Sequence, residues 1–348
     1  MRLLICTQAV DKDDRVLGFF HAWLIEFAKH FERITVICLK EGTYSLPANV
    51  EIYSLGKEKG HPQHLRKLVY AWRFMRLTWE LRHSYRAVFV HMNEEYAALM
   101  GLPWKLLGKR VYLWRNHYAG SLLTLLAVAL SKKVFCTSRH SYTAKFKKTV
   151  IMPVGTDADF SGPIIYQNRT PRSILSMGRI SPSKNIHVIV DALGYLTKHN
   201  VPYTATIVGS AALEGGRYLD KLLARAAELG IDANTKFLQA VPKQDTYKQY
   251  RAHEIFVNAS PSGMLDKTIF SAIGNGCLPL SSSLDVRDMV EERFYFPEGN
   301  AKVLAQKLNS LLSLSQDEKF RLAHMLRERI GKAHSLEELG KRIAEEVV

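Results

Sequence analysis

The chain has 348 residues, which exceeds one ordinary α/β domain and suffices for two domains with separate cores. Its formal net charge of +15 is uneven, because residues 1–150 hold 24 Lys and Arg against 11 Asp and Glu, whereas residues 151–348 hold 24 against 22. The longest uncharged apolar run, residues 121–131, is too short for a membrane span of roughly 20 residues. Four scattered cysteines without a C-x-x-C pair disfavour disulfides and structural zinc, and they predict a reducing, cytoplasmic location.

In chain order, the first half alternates short apolar runs with segments of helical period. The predicted strands are Leu3–Cys6, Ile34–Cys38, Ala87–Val90, Val111–Trp114, Val134–Cys136 and Val150–Met152. The predicted helices between them are Leu17–His30, Leu65–His83, Ala97–Leu107 and Leu122–Leu130. This alternation predicts a parallel, doubly wound sheet with crossover helices.

The helix predicted at Leu65–His83 combines cations with aromatic rings. Such a helix can lie in a lipid headgroup layer with its rings at the interface. We therefore predict an acceptor or membrane surface formed by Arg66, Lys67, Trp72, Arg73, Arg76 and Trp79. Residues 101–150 add a second basic stretch, with ten Lys and Arg and no acid. The alternative is a crossover helix that packs on the sheet and turns its arginines to water.

The second half repeats the alternation. Its predicted strands are Ser173–Met177, Thr204–Val208, Lys236–Leu238, Ile255–Val257 and Leu278–Ser281, with helices at Asn185–Lys198, Arg217–Leu229 and Asp317–Val348. The stretch from Pro153 to Arg172 has no periodicity and marks the domain boundary. We predict a first domain at residues 1–155, a second at 156–330 and a returning C-terminal helix at 331–348.

Two segments of the second half predict an anion site. Ser176-Met177-Gly178-Arg179, with Lys184 five residues on, follows a strand and places two cations beside a helix start. The segment N-A-S-P-S-G-M-L-D-K-T at residues 258–268 is predicted to open a helix directly after another strand. Helix N-termini present free amides to anions, arginine grips a phosphate bidentately, and lysine acts as a point charge. The alternative is that both cations are solvated surface charges.

These motifs resemble the GT-B glycosyltransferases, specifically retaining family 4. That family has a G-R-x5-K-like element and a Ser/Pro-rich loop leading into an E-A-x-x-x-G helix. The resemblance implies an α/β chain of GT-B architecture, with two Rossmann-like domains facing across a cleft and a C-terminal helix that crosses back to the first domain. It also implies that the second domain binds the donor, the first binds the acceptor, and the anomeric configuration is retained through front-face attack.

The resemblance assigns roles to individual residues. It implies catalytic roles for Arg179, Lys184 and His117, the last because it follows the strand V-Y-L-W-R where the family has a T-x-H-like histidine. It implies donor contacts from Gly18, Gly178, Gly209, Val241, Gly263, Met264, Leu265, Asp266, Lys267 and Ser271. Family 4 usually has two glutamates separated by seven residues, and Gly263 and Ser271 stand at those positions. In the family the second glutamate accepts hydrogen bonds from the ribose hydroxyls. Its replacement by Ser271 removes a hydrogen bond worth roughly 1.5–3 kcal/mol, of which the serine hydroxyl recovers part.

The resulting hypothesis is a cytosolic, peripheral-membrane glycosyltransferase that moves a hexose from a UDP- or GDP-sugar to a lipid-linked or glycan acceptor. No cofactor and no metal are expected, because no Asp-x-Asp metal motif stands out and the first turn lacks G-x-G-x-x-G. Two alternatives stay open: a catalytically silent binding protein that has lost the paired glutamates, and a sugar-nucleotide epimerase of the same fold. A nucleic-acid-binding function is disfavoured, because the chain has no zinc, helix-turn-helix or RNP-like motif.

Overall fold

The computed structural model describes residues 1–14, 16–60, 66–156, 160, 162–211, 216–242, 245–263 and 265–347. The chain divides into two compact units. Unit 1 comprises Met1–Asp157 and His334–Val348, and unit 2 comprises Ala158–Ala333. Unit 1 is therefore built from two separate stretches of chain.

Unit 1 contains a seven-stranded parallel sheet with the spatial order β3-β2-β1-β4-β5-β6-β7. Its strands are β1 (Arg2–Val10), β2 (Arg33–Glu41), β3 (Val50–Ser54), β4 (Ala87–His91), β5 (Arg110–Trp114), β6 (Lys133–Cys136) and β7 (Thr149–Ile151). The central strand β4 is buried along its whole length, because helices cover both faces of the sheet.

Two apolar clusters lie on the opposite faces of this sheet. Alternate residues of β1 divide between them, with Leu3 in one cluster and Leu4 in the other. The first cluster includes helices α1 (Phe19–Ala28) and α12 (Leu336–Val347). The second includes α2 (Arg66–Glu80), α3 (Glu94–Leu106) and α4 (Leu122–Leu130). Three consecutive helices therefore form one layer on a single face.

Unit 2 contains a five-stranded parallel sheet with the spatial order β10-β9-β8-β11-β12. Its strands are β8 (Ser173–Met177), β9 (Thr204–Val208), β10 (Thr235–Leu238), β11 (Ile255–Asn258) and β12 (Leu278–Ser281). Its helices are α5 (Ile186–Lys198), α6 (Gly216–Glu228), α7 (Thr246–Ala252), α8 (Lys267–Gly274), α9 (Leu284–Arg287), α10 (Ala301–Leu312) and α11 (Gln316–His334). The predicted pair of parallel α/β folds is confirmed.

Three local predictions need correction. The edge strand β3 was not predicted, because its sequence V-E-I-Y-S is short and only half-buried. The helix predicted directly after β11 begins nine residues after the end of that strand, at Lys267, where Asp266 caps it. The segment predicted as helical at Asp317–Val348 is divided into α11 and α12, because Ser335 pairs with Thr156 and its hydroxyl accepts the Glu338 amide at the start of α12.

Among the described residues, no helix combines the length and the apolar character that crossing a bilayer requires.

Candidate functional site

Most of the residues predicted for the anion site lie in loops at the carboxyl edge of the unit 2 sheet. Ligands of open parallel sheets bind outside the carboxyl ends of the strands. Strand β8 lies between β9 and β11, so the loops that follow these three strands are neighbours. The two predicted segments therefore meet at one edge of unit 2.

The loop after β8 exposes Arg179 beside residues that the fold holds in place. Ile180 is buried, and its amide donates to a carbonyl of the loop after β9 at 3.1 Å. Pro182 begins a 3₁₀ turn that ends at Lys184, since its fixed φ suits the first position of a helical turn. Arg179 is exposed between these anchors, and within the described residues its guanidinium has no hydrogen bond or ion pair.

Gly178 and Gly209 hold the loops after β8 and β9 together. A Cβ atom at Gly209 would lie 1.9 Å from the Gly178 carbonyl oxygen, so no larger residue fits there without a shift of the backbone. The Gly178 amide donates to Val208 at 3.0 Å, and the Gly209 amide donates to Leu238 at 2.9 Å. Both amides are used inside the protein, so these glycines support the site by packing.

A network of polar side chains joins the loop after β8 to the loop after β11. The Lys184 ammonium lies 2.5 Å from the Asp266 carboxylate and 3.2 Å from the Ser260 hydroxyl. Asn258, the last residue of β11, donates from its side-chain amide to the same Asp266 oxygen at 3.1 Å. Two predicted site residues, Lys184 and Asp266, are thus brought into direct contact.

Asp266 also caps helix α8. Its second carboxylate oxygen accepts the Thr268 amide at 3.1 Å and the Thr268 hydroxyl at 2.9 Å. Burial alone would raise the pKa of Asp266, but the charge and hydrogen bond of Lys184, together with Thr268, lower it below its usual value. The carboxylate therefore stays ionised and holds the Lys184 ammonium at the start of α8.

Gly263, at the first of the two glutamate positions, has its amide occupied. The amide donates to the buried Asp285 carboxylate at 2.8 Å, and the residue has a φ of 85° that favours glycine. The Ser262 hydroxyl accepts the Leu284 amide at 2.9 Å. Asp285, which follows β12, was not predicted from the sequence. It lies close to Gly263 because β11 and β12 are neighbours in the sheet, which sequence spacing alone does not show.

The other predicted donor residues of unit 2 occupy varied environments. Leu265 is buried, and Lys267 is the first residue of α8. Ser271, at the second glutamate position, is half-buried and its hydroxyl points to the Lys267 carbonyl at 3.4 Å. Val241 is half-buried in the loop after β10, and Met264 lies outside the described residues.

His117, predicted in unit 1, lies in the loop after β5 and is half-buried. Its Nδ1 accepts the Ala119 amide at 3.0 Å, and its ring stacks on Tyr118 with centroids 4.5 Å apart. Its own amide donates to the Ser141 hydroxyl at 3.0 Å. The turn fixes the ring at the carboxyl edge of the unit 1 sheet, where a ligand of that unit would bind.

Gly18 closes the turn that precedes α1. A Cβ atom there would lie 2.6 Å from the Asp14 carbonyl oxygen and 2.8 Å from that of Lys12. Its amide already donates to Asp14 at 3.0 Å. The tight turn therefore accounts for the glycine, and the donor contact stays a prediction.

The residues predicted as a membrane surface lie on α2. Arg66, Lys67, Trp72, Arg76 and Trp79 are exposed. Arg73 is half-buried instead, and its guanidinium donates to the Leu55 carbonyl at 2.8 Å. It anchors α2 to the chain after β3 and is not part of the exposed face.

The arrangement in unit 2 can hold a phosphate-bearing ligand. It offers an exposed guanidinium at Arg179, an ammonium at Lys184 with one of its three hydrogens not used by Asp266 or Ser260, and the N-terminus of α8. Within the described parts of the chain, no three His, Cys, Asp or Glu residues are grouped closely enough to hold a metal ion.

Solved structures share the two-unit parallel architecture. The Anabaena protein Alr3699/HepE, crystallised with UDP-glucose, superposes with a TM-score of 0.76 at 18% identity, over 99% of this chain and 98% of that chain. A glycosyltransferase from Rickettsia africae superposes with a TM-score of 0.75 at 15% identity, over 99% and 98% of the two chains. The fold is therefore GT-B.

The sequence comparison identifies the family of unit 2. Residues 163–333, which cover nearly all of this unit, match the glycosyl transferases group 1 family, so unit 2 is a domain of that family. An alpha-monoglucosyldiacylglycerol synthase of Streptococcus pneumoniae is 27% identical over 148 residues. That alignment spans 39% of this chain and about a third of the relative's length, 32%.

Proposed function

We propose that the chain transfers a hexose from a nucleoside diphosphate sugar to a lipid-linked or glycan acceptor, with retention of the anomeric configuration. The observation that carries the proposal is the contact between Lys184 and Asp266, beside the exposed Arg179, at the carboxyl edge of the unit 2 sheet. A mobile lysine on the surface would bind many anions weakly. A lysine held in place by a buried carboxylate network is suited to one ligand geometry.

The chemistry requires stabilisation of negative charge on the departing diphosphate. Fixed cations and amide dipoles supply that stabilisation without having to reorganise during the reaction. Arg179 would take two oxygens of the leaving phosphate, and Lys184 would act as the point charge. Retention through front-face attack within an ion pair requires no protein nucleophile. His117 of unit 1 also has a catalytic role in this proposal.

The donor is a UDP- or GDP-sugar in this proposal, and UDP-glucose is the first to test because HepE was crystallised with it. The name of the Streptococcus relative supports a lipid acceptor. The net charge of residues 1–150 supports an anionic acceptor or membrane, and we place the protein in the cytoplasm at the inner face of that membrane.

The test is a thermal-shift panel of UDP, GDP, ADP and their sugar forms on the full chain. A ligand that binds the native state raises the melting temperature. We expect one nucleotide to do so, and we expect Arg179→Ala and Lys184→Ala to abolish the shift. Lys198→Ala, an exposed lysine at the end of α5, is the matched control and should keep it.

Turnover of the selected sugar nucleotide separates the enzyme from its alternatives. Transfer to an acceptor, or slow hydrolysis of the donor, supports the proposal. Binding without either reaction would instead support a silent binding protein, which the Gly263 and Ser271 replacements favour. Conversion to an isomeric sugar nucleotide would identify an epimerase. If Lys184→Ala and Arg179→Ala left turnover unchanged, the site assignment would be wrong.

A further inference from the structure

The layer of helices α2, α3 and α4 in unit 1 leaves a large apolar surface uncovered. Of the 24 exposed large hydrophobic side chains in the described chain, 11 lie on or directly after these three helices. Unit 2 contributes seven such residues, spread over several elements. Isolated exposed hydrophobics are ordinary, but a concentration on one face marks an interaction site.

Seven leucines on and after α3 and on α4 form what we call the leucine surface. Its members are Leu99, Leu102, Leu106, Leu107, Leu122, Leu125 and Leu126. Leu106 and Leu122 are the most exposed, at 80% and 85%. The opposite side of each helix is buried in the core, through Met100 and Trp104 on α3 and through Ala127 and Val128 on α4. Each helix is therefore apolar on both sides, although only one side has a partner in the described parts of the chain.

The three helices are in direct contact, so their exposed faces are continuous. A Cβ atom at Gly101 of α3 would lie 2.8 Å from the Leu130 Cβ of α4. Phe74 of α2 packs against Tyr96 and Trp104 of α3, with ring centroids 4.5 Å and 6.0 Å apart. The leucine surface and the outer face of α2 thus belong to one side of unit 1.

The outer face of α2 carries four exposed apolar residues that we call the tryptophan stripe: Leu68, Trp72, Met75 and Trp79. Their spacing of four, three and four residues places them along one face of the helix. An arginine covers each indole, with Arg76 lying 5.6 Å from the Trp72 ring and Arg82 lying 4.6 Å from the Trp79 ring. Tryptophan rings beside cations suit the boundary between lipid headgroups and acyl chains.

We propose that the leucine surface and the tryptophan stripe together bind an anionic lipid bilayer, with the leucines entering the acyl boundary. Charge favours this occupant, because residues 66–130, which span the three helices, contain ten Lys and Arg against three Glu. A second copy of the chain would bring the same basic surface against itself in a two-fold dimer, where like charges repel. The inference deepens the proposed function, on which it rests only for the link to a lipid acceptor.

The bilayer contact in this proposal is apolar as well as electrostatic. The α2 cations alone would give binding that salt removes. Leucine side chains that leave water upon binding give a component that salt does not screen. A variant that removes leucines therefore tests the apolar component, and a change of salt concentration tests the electrostatic component.

The experiment is flotation of the full chain with vesicles of phosphatidylcholine containing a third phosphatidylglycerol, at low and high salt and without sugar nucleotide. We expect binding that weakens at high salt but persists. The double variant Leu106→Gln/Leu122→Gln should lower the partition coefficient about tenfold or more. Each substitution removes apolar surface whose transfer from water into the bilayer favours binding. Leu223→Gln, at an exposed leucine of α6 in unit 2, is the matched control and should bind as the unchanged protein does.

Tryptophan fluorescence gives a second readout. Of the five tryptophans, Trp23, Trp104 and Trp114 are buried, so a change on adding vesicles reports Trp72 and Trp79. We expect a blue shift and protection from acrylamide.

A double variant that binds normally, or binding that vanishes at high salt without a blue shift, would overturn the proposal. Self-association without vesicles that Leu106→Gln/Leu122→Gln prevents would show that a second copy covers this surface. Because neither flotation nor fluorescence requires the sugar nucleotide, these outcomes are independent of the proposed catalytic site.

Discussion

The two units hold positive charge in opposite ways. In unit 2, Lys184 is fixed by Ser260 and by Asp266, the residue that caps helix α8. In unit 1, α2 displays Arg66, Lys67 and Arg76 at the surface. A cation held in one geometry selects a small anion with a defined shape. Cations spread over a surface select any surface of opposite charge, and salt weakens them more.

The largest expected effect comes from a second fixed lysine of unit 2. Lys319 of α11 lies 2.7 Å from Glu254, and both side chains are buried. Lys319→Met leaves that carboxylate buried without its partner, so we expect the free energy of unfolding to fall by about 3–5 kcal/mol in urea denaturation. Lys332 lies on the same helix, 2.7 Å from Glu328, but is exposed. Lys332→Met should cost less than about 0.5 kcal/mol, and equal losses would contradict the distinction between fixed and exposed charge.

The next largest effect is expected when Lys184 loses the Asp266 carboxylate that holds it. Asp266→Asn removes the charge that holds the ammonium and weakens the cap of α8, although the amide oxygen still accepts a hydrogen bond. We expect the affinity for the selected nucleotide sugar to fall about tenfold to thirtyfold, with about 1 kcal/mol lost in stability. Isothermal titration and thermal melting measure the two effects. Unchanged affinity in Asp266→Asn, with Lys184→Ala inactive, would show that Lys184 needs no partner.

A half-buried histidine of unit 1, His334, gives a smaller effect that depends on pH. Burial lowers the pKa of His334 to about 4, from the usual 6.5, and its Nδ1 accepts the Val154 amide at 3.3 Å. Between these two values the unfolded chain binds a proton that the folded chain does not, so stability falls as pH falls. Unfolding should become easier by about 2 kcal/mol between about pH 7 and pH 5.

The variant His334→Asn keeps a hydrogen-bond acceptor but cannot titrate, so it should flatten that part of the pH profile. His253, whose pKa burial also lowers, should leave a residual slope. His199→Asn, at an exposed position, is the control. A profile that stays as steep in His334→Asn as in the unchanged protein would place the proton uptake elsewhere.

The smallest effect is expected from one exposed cation of unit 1. Lys67→Gln should weaken binding to anionic vesicles about fivefold at low salt, which corresponds to about 1 kcal/mol for one charge near a lipid surface. At high salt the difference should disappear, and thermal stability should not change. A difference that persisted at high salt would mean that Lys67 is fixed in the manner of Lys184.

Much of the fold follows from the sequence, because buried parallel strands are short apolar runs. The predicted strands Ser173–Met177, Thr204–Val208 and Leu278–Ser281 have the observed bounds. The charge network was harder to predict, since Asp285 reaches the site through the sheet order and has no local signal. The leucine surface was missed for another reason. The sequence L-L-T-L-L-A-V-A-L reads as a buried helix, and only packing shows that its outer half has no partner among the described residues.

The division of unit 1 into two stretches has a consequence for synthesis of the chain on the ribosome. Helix α12 supplies Leu339, Ile343 and Val347 to the cluster that also contains α1, and Tyr112 donates to the Val347 carbonyl at 2.9 Å. Unit 2 lies between these partners in the chain, so it emerges, and can fold, before α12 is available to unit 1. The nascent α1 face of the first sheet therefore stays open until translation has passed unit 2, and this face is where a chaperone would bind the unfinished protein.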